Sequence, residues 1–78
     1  MSTSRLRKVN GASVRAIREA LGIPHGVFAI RCGISPGYLT NIEKGAKQPS
    51  PAVTRQIAAQ LGVSIDAVSS ALVEVAAS

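Results

Sequence analysis

Residues 23–45 read IPHGVFAIRCGISPGYLTNIEKG, and this stretch decides the fold. Pro24 suits the first turn of a helix, where a backbone N–H has no intrahelical partner to lose. Phe28, Ala29 and Cys32 then share one helical face, and Gly33 ends the segment. A helix of about two and a half turns is not stable alone and must be held by packing. Ser35-Pro36 is an N-cap followed by a first-turn proline, so another short helix starts there. Its inward pair is Leu39 and Ile42, spaced i, i+3; Thr40, Asn41 and Lys44 point elsewhere, and Gly45 closes it. The intervening turn, Gly33 to Ser35, is so tight that the two helices must cross steeply, one propped against the other. A helix over about residues 36–44 with a polar outer face is a shape that a DNA major groove accepts.

The flanks complete an all-α chain. From Ala12, the apolar residues Val14, Ile17 and Leu21 recur on one helical face, with Ala16 and Ala20 beside them. Asn10 or Ser13 offers the cap, and Gly22 the stop. Ser50-Pro51 repeats the cap signal for a fourth helix, which turns Val53, Ile57, Ala58 and Leu61 inward and ends at Gly62. Ser64 caps a fifth, with Ile65, Val68 and Leu72 as its stripe and Val75 beyond. No sustained alternation and no Asn-Gly or Asp-Gly turn argues for a strand. The expected architecture is a compact five-helix bundle over residues 12–78. It follows a flexible basic arm over residues 1–11 that carries Arg5, Arg7 and Lys8.

Composition narrows the function. The chain has 78 residues, one small domain, and carries a net charge of +5. Aromatic residues are 3%, so the core is built from Ala, Val, Ile and Leu. One cysteine excludes an internal disulfide, and with one histidine it falls short of a structural zinc site. Cys32 reads as a small core residue. No apolar run approaches the roughly 20 residues that span a bilayer, and the start has no secretory pattern, so a cytoplasmic protein is expected. The carboxylates are Glu19, Glu43, Asp66 and Glu74, with no nucleophile–base pair among their neighbours. An enzyme, a cofactor, a metal site and a small-molecule substrate are therefore not expected. The charge is lopsided. Residues 1–47 hold eight Lys and Arg against Glu19 and Glu43, and the remainder holds Arg55 against Asp66 and Glu74. Such a distribution suits a polyanion.

The segment IREALGIPHGVFAIRCGISPGYLTNIEKGAKQPSPAVTRQIAAQLGVSIDAV resembles the lambda-repressor/Cro-like helix-turn-helix family, the XRE type. The resemblance is carried by Leu21-Gly22-Ile23, Ala29, Cys32-Gly33, Ser35, Tyr38-Leu39, Ile42-Glu43, Gly45, Pro49-Ser50, Ile57-Ala58 and Leu61-Gly62-Val63, in that order and spacing. It implies a regulator of transcription that binds double-stranded DNA, as a homodimer on a pseudo-palindromic operator. In that pattern Pro36, Gly37, Thr40 and Asn41 take the base-facing positions. His25 stands where a phosphate-binding Gln is common, and Ser35 where a cap hydroxyl meets a phosphate. Lys44, Lys47 and Gln48 fall where the following loop meets the DNA backbone, while Arg18 and Glu43 take the places of an internal salt bridge. Tyr38 either packs over the turn or reaches a phosphate. Pro36 and Gly37 depart from the long polar side chains common in the family, which shifts readout to Asn41, Thr40 and DNA shape.

Several alternatives stay open on the residues alone. Val27 and Ile30 sit at positions usually polar in the family and mark either a partner contact or scattered surface apolars. Val73 and Val75 suit a symmetric contact. A chain ending at Ser78 leaves no room for a separate regulatory domain, which favours a phage or prophage-type Cro/repressor located with the nucleoid. The rivals are an antitoxin-type autorepressor, the DNA-binding part of a longer repressor, and a protein-interaction adaptor that has lost DNA binding.

Overall fold

The computed structural model describes residues 5–6, 8–69 and 73–74, with backbone alone for 5–6 and 73–74. Four α-helices carry the fold: α1 Gly11–Ala20, α2 His25–Cys32, α3 Pro36–Glu43 and α4 Pro51–Leu61. A 3₁₀ turn, Ile65–Val68, follows. Two-residue strands β1, Arg5–Leu6, and β2, Val73–Glu74, pair antiparallel with Arg5 opposite Glu74.

The helix starts are set by local chemistry. Asn10 accepts from the Ser13 amide through its side chain, Ser35 from Tyr38 and Ser50 from Val53. Pro36 and Pro51 fill first-turn positions. Pro24 stands one place further out than expected, as the N-cap residue of α2, and gives no side-chain cap bond. Between α2 and α3, Gly33 adopts φ 76°, and its amide bonds to the Ile30 carbonyl while that of Ile34 bonds to Ala29. This left-handed C-terminal motif turns the chain abruptly into Ser35. It also presents Ile34, half-buried, to the core.

Phe28, Leu39, Ile42, Ile57, Val14 and Val68 are the largest fully buried side chains. They come from all four helices and the 3₁₀ turn, so the short α2 and α3 are held by packing. Cys32 is buried among them, and burial pushes its thiol pKa up to about 11. Leu21, expected inward, is 54% exposed, because it lies past the last turn of α1 as the C-cap residue.

Two expectations are corrected at the ends of the chain. Among the described residues the fifth helix is only the 3₁₀ turn, and the bundle has four α-helices. The Val68 carbonyl, which a longer helix would need, accepts instead from the Asn10 amide at 2.7 Å. The Ser69 hydroxyl donates to the Ile65 carbonyl at 2.8 Å, and Ser69 then bridges Val9 as extended chain. Leu72 and Val75 lie outside the described residues, as does Arg7. The segment assigned to an arm is tied down at three places: Arg5–Leu6 pair with β2, Val9 is buried, and Gly11 begins α1.

Gly11 sits where the first turn of α1 meets the last turn of α3. A Cβ there would collide with the Ile42 carbonyl oxygen and lie 2.7 Å from that of Glu43. Only glycine permits this approach of one backbone to another.

Candidate nucleic-acid interface

One side of α3 is anchored in the core and the other is open. Leu39 and Ile42 are buried; Pro36, Gly37 and Lys44 are exposed, and Tyr38, Thr40 and Asn41 are half-buried. Tyr38 packs against the core cluster, which favours the packing alternative for its ring. The Asn41 amide makes no side-chain hydrogen bond among the described residues, so its donor and acceptor are both available. The Thr40 hydroxyl is engaged: it donates to the Pro36 carbonyl at 3.0 Å and lies 3.2 Å from His25 Nε2. The methyl group is what Thr40 has left to offer. Nothing lies within 4 Å of the place where a Gly37 Cβ would stand. The fold itself therefore does not demand glycine there.

Behind α3, Arg18 and Glu43 lock the geometry. Arg18 Nε donates to Glu43 Oε2 at 2.8 Å, Nη2 to Oε1 at 3.3 Å, and Nη1 to the Ile23 carbonyl at 2.8 Å. The two side chains are 8% and 7% exposed. One guanidinium thus joins α1, the approach to α2 and the end of α3. The paired fork geometry is what arginine, and not lysine, can supply.

In front of that lock lies a recess of about 300 Å³ lined by Arg15, Arg18, His25, Thr40, Glu43 and Lys44. Three cations face one carboxylate, and that carboxylate is already paired with Arg18. Arg15 is exposed and bonds Glu19 one turn along α1 at 3.0 Å; this bond, then the Glu19 charge, raise its pKa above the ordinary value. Sequence reasoning left Arg15 without a role, although its i, i+4 spacing to Glu19 was visible.

The remaining expected contacts divide. The Ser35 oxygen caps α3 by accepting from Tyr38 at 3.1 Å, which leaves its own proton free to donate. Lys44 and Lys47 are exposed and form no ion pair among the described residues. Lys8 is exposed. Gln48 is exposed and also tied into the fold: its amide accepts from the Val9 N–H at 2.9 Å and donates to the Val9 carbonyl at 3.1 Å, which leaves its second N–H free. That pairing satisfies a buried backbone across 39 positions of sequence, and no local pattern announces it. Among the described residues no helix is long and apolar enough to cross a membrane.

A short helix, a left-handed glycine turn and a second helix with one open edge define a helix-turn-helix. The helix-turn-helix domain family matches residues 11–71, and the chain belongs to it. An uncharacterised HTH-type transcriptional regulator of Mycobacterium tuberculosis is 38% identical over 56 residues, which are 72% of this chain and 40% of that protein. The chain thus spans about two fifths of the length of the curated relatives it matches. Among solved structures, the clp gene regulator ClgR of Corynebacterium glutamicum superposes with TM-score 0.71 at 33% identity, covering 74% of this chain and 62% of that one. The biofilm master regulator SinR, solved in complex with DNA, superposes with TM-score 0.67 at 26% identity, covering 72% and 90%.

Proposed function

We propose that this chain is a sequence-specific, double-stranded DNA-binding transcription regulator of the Cro/repressor type, which places α3 in the major groove. The observation that carries the reading is the open edge of α3, Pro36, Gly37, Thr40 and Asn41, beside a recess with excess positive charge. Lysines and arginines neutralise phosphates and set the register; base edges are read from α3. Asn41 holds the free amide that matches adenine, and the Thr40 methyl suits thymine. His25, the Ser35 hydroxyl, Lys44 and Lys47 meet phosphate. A homodimer on a pseudo-palindromic operator, working at the nucleoid, is the assembly that fits this mechanism. SinR, bound to DNA in its own structure, supports the reading by likeness.

The test selects bound duplexes from random-sequence DNA and titrates the winner at several salt concentrations. Asn41→Ala is expected to cost about 1–3 kcal/mol on the selected site and to relax preference at one base pair. Lys44→Ala is expected to weaken all duplexes alike and to lower the salt slope by about 0.9, the share of one phosphate. Absence of any retained duplex at low salt would overturn the proposal and favour a protein-interaction adaptor. The exposed Val27 and Ile30 on α2 would then be the first surface to examine.

A further inference from the structure

We infer that the outer edge of β2, Val73–Glu74, is the seam on which two copies of this chain assemble, pairing antiparallel about a two-fold axis into one four-stranded sheet. The inference deepens the homodimer of the reading above by giving it an interface. Its test uses no DNA, so the two fail separately.

The two edges of the β1–β2 ribbon differ. Arg5 pairs with Glu74 and Leu6 with Val73, and a further antiparallel bridge joins Val9 to Ser69. Beside that bridge the Asn10 N–H bonds to the Val68 carbonyl at 2.7 Å. Backbone groups alternate in direction along an extended chain, so the Val9 N–H and carbonyl point the other way, to the outside of the ribbon. The Gln48 amide meets both, at 2.9 Å and 3.1 Å. A side chain of the fold thus stands where a third strand would begin. The sequence before Val9 reads Arg5-Leu6-Arg7-Lys8, and three cations in four residues oppose pairing with a second copy of themselves. The N-terminal edge is therefore blocked by two independent devices.

The C-terminal edge has neither device. Among the described residues the sheet has two strands, so no strand pairs with the outer side of β2. Residues 72–77 carry one charge, Glu74, among Leu, Val and Ala. A two-stranded ribbon is marginal in water by itself, and an open edge with little charge is a template for another strand. A second copy suits it because it brings an identical edge. Antiparallel strands related by a two-fold axis satisfy one another's N–H and C=O groups reciprocally. Such pairing sets Glu74 opposite an uncharged residue of this segment in every register except the one centred on it. Two α3 helices joined through one seam also supply the second half-site that a two-fold operator requires.

The experiment is sedimentation velocity on the full chain up to its solubility limit, joined to oxidative cross-linking through single introduced cysteines. The wild type is expected to populate a dimer as its concentration rises. Val73→Glu enters a two-fold seam twice, doubles its negative charge, and should weaken the dimer about tenfold. Mixing that protein with Val73→Lys should restore association, which also shows that the variant folds. Cys32 is buried and keeps its proton up to about pH 11, so an introduced thiol is the reactive one. Cysteines placed one at a time at residues 73–75 should give a disulfide-linked dimer from at least one position, because facing Cα atoms lie about 4.5–5.5 Å apart. Arg5→Cys and Arg7→Cys should not. A monomer at every concentration, unchanged association in Val73→Glu, no cross-link from residues 73–75, or equal cross-linking from both strands overturns the inference. A monomer would leave this edge to another protein's strand. The wild-type measurement needs no variant, so a misfolded one does not rescue the seam, and the DNA-binding reading stands or falls by its own test.

Discussion

Gly11→Ala adds one methyl group and should be among the most damaging small changes in the domain. The new Cβ would overlap the Ile42 carbonyl oxygen and stand 2.7 Å and 2.8 Å from the oxygen and carbon of the Glu43 carbonyl. All three are backbone atoms of the last turn of α3, so no side chain can swing aside. Restoring ordinary contact requires the start of α1 to move off α3 by more than about 1 Å. Overpacking of this kind costs about 1–3 kcal/mol and occasionally more, against a helix-propensity gain of at most about 1 kcal/mol. With rigid atoms on both sides the upper end applies, and the net loss should be about 2 kcal/mol. That is a large share of the roughly 5–15 kcal/mol that holds a small domain. Gly37→Ala and Gly26→Ala are the controls, since each new Cβ would enter open space. They should keep the propensity gain and stabilise by up to about 1 kcal/mol. Urea unfolding followed by circular dichroism, read as midpoint at constant slope, compares the three directly. A Gly11→Ala protein as stable as wild type, or one that falls together with Gly37→Ala, refutes the close-approach argument.

Two further predictions follow from the interior. Arg18→Met should cost about 3–5 kcal/mol by leaving the buried Glu43 carboxylate without its partner, whereas the Arg18→Met/Glu43→Leu double variant should recover much of that loss; equal losses in the single and the double, measured by urea unfolding, would show that the pair is not the reason. Burial holds the Cys32 thiol neutral up to about pH 11, while an unfolded thiol ionises from about 9.0; its pKa is raised, so this stability is complete below 9.0 and is lost as pH climbs towards 11. Cys32→Ala should be less stable at neutral pH and lack that alkaline component, which paired melts across the range would reveal.

The helix starts and stops were legible because their causes are local. Asn10, Ser35 and Ser50 cap through side chains that reach three residues ahead, and Gly22, Gly33, Gly45 and Gly62 all adopt positive φ. Leu39, Ile42, Phe28 and Ile57 lie inward as the 3.6-residue period requires. What escaped the sequence is what depends on partners far along the chain. The fifth helix failed because Asn10, nearly 60 positions away, takes the Val68 carbonyl. Gln48 reads locally as a loop residue, yet a backbone 39 positions distant claims its amide. Gly11 reads as an indifferent first-turn residue; its necessity exists only once α3 lies against it. At the candidate interface the residue types and their order on α3 were legible, while the engagement of the Thr40 hydroxyl by Pro36 and His25 was not.

That engagement bears on how a domain of this kind would discriminate between DNA sequences. Pro36 and Gly37 present no polar side-chain atoms, and the Thr40 hydroxyl is already bonded within the protein. Along the open edge of α3 this leaves the Asn41 amide as the free side-chain group with both a donor and an acceptor. One bidentate contact separates right from wrong bases by about 1–3 kcal/mol, short of the roughly 4–10 kcal/mol that divides specific from non-specific binding. The balance must come from a second copy of the chain on a second half-site, from sequence-dependent DNA shape, or from both. The open space at Gly37 favours shape, because a helix without a side chain there can lie deeper in a groove whose width varies with sequence. Gly37→Ala therefore separates stability from recognition: the fold should gain, and affinity for a selected duplex should fall more than affinity for mixed-sequence DNA.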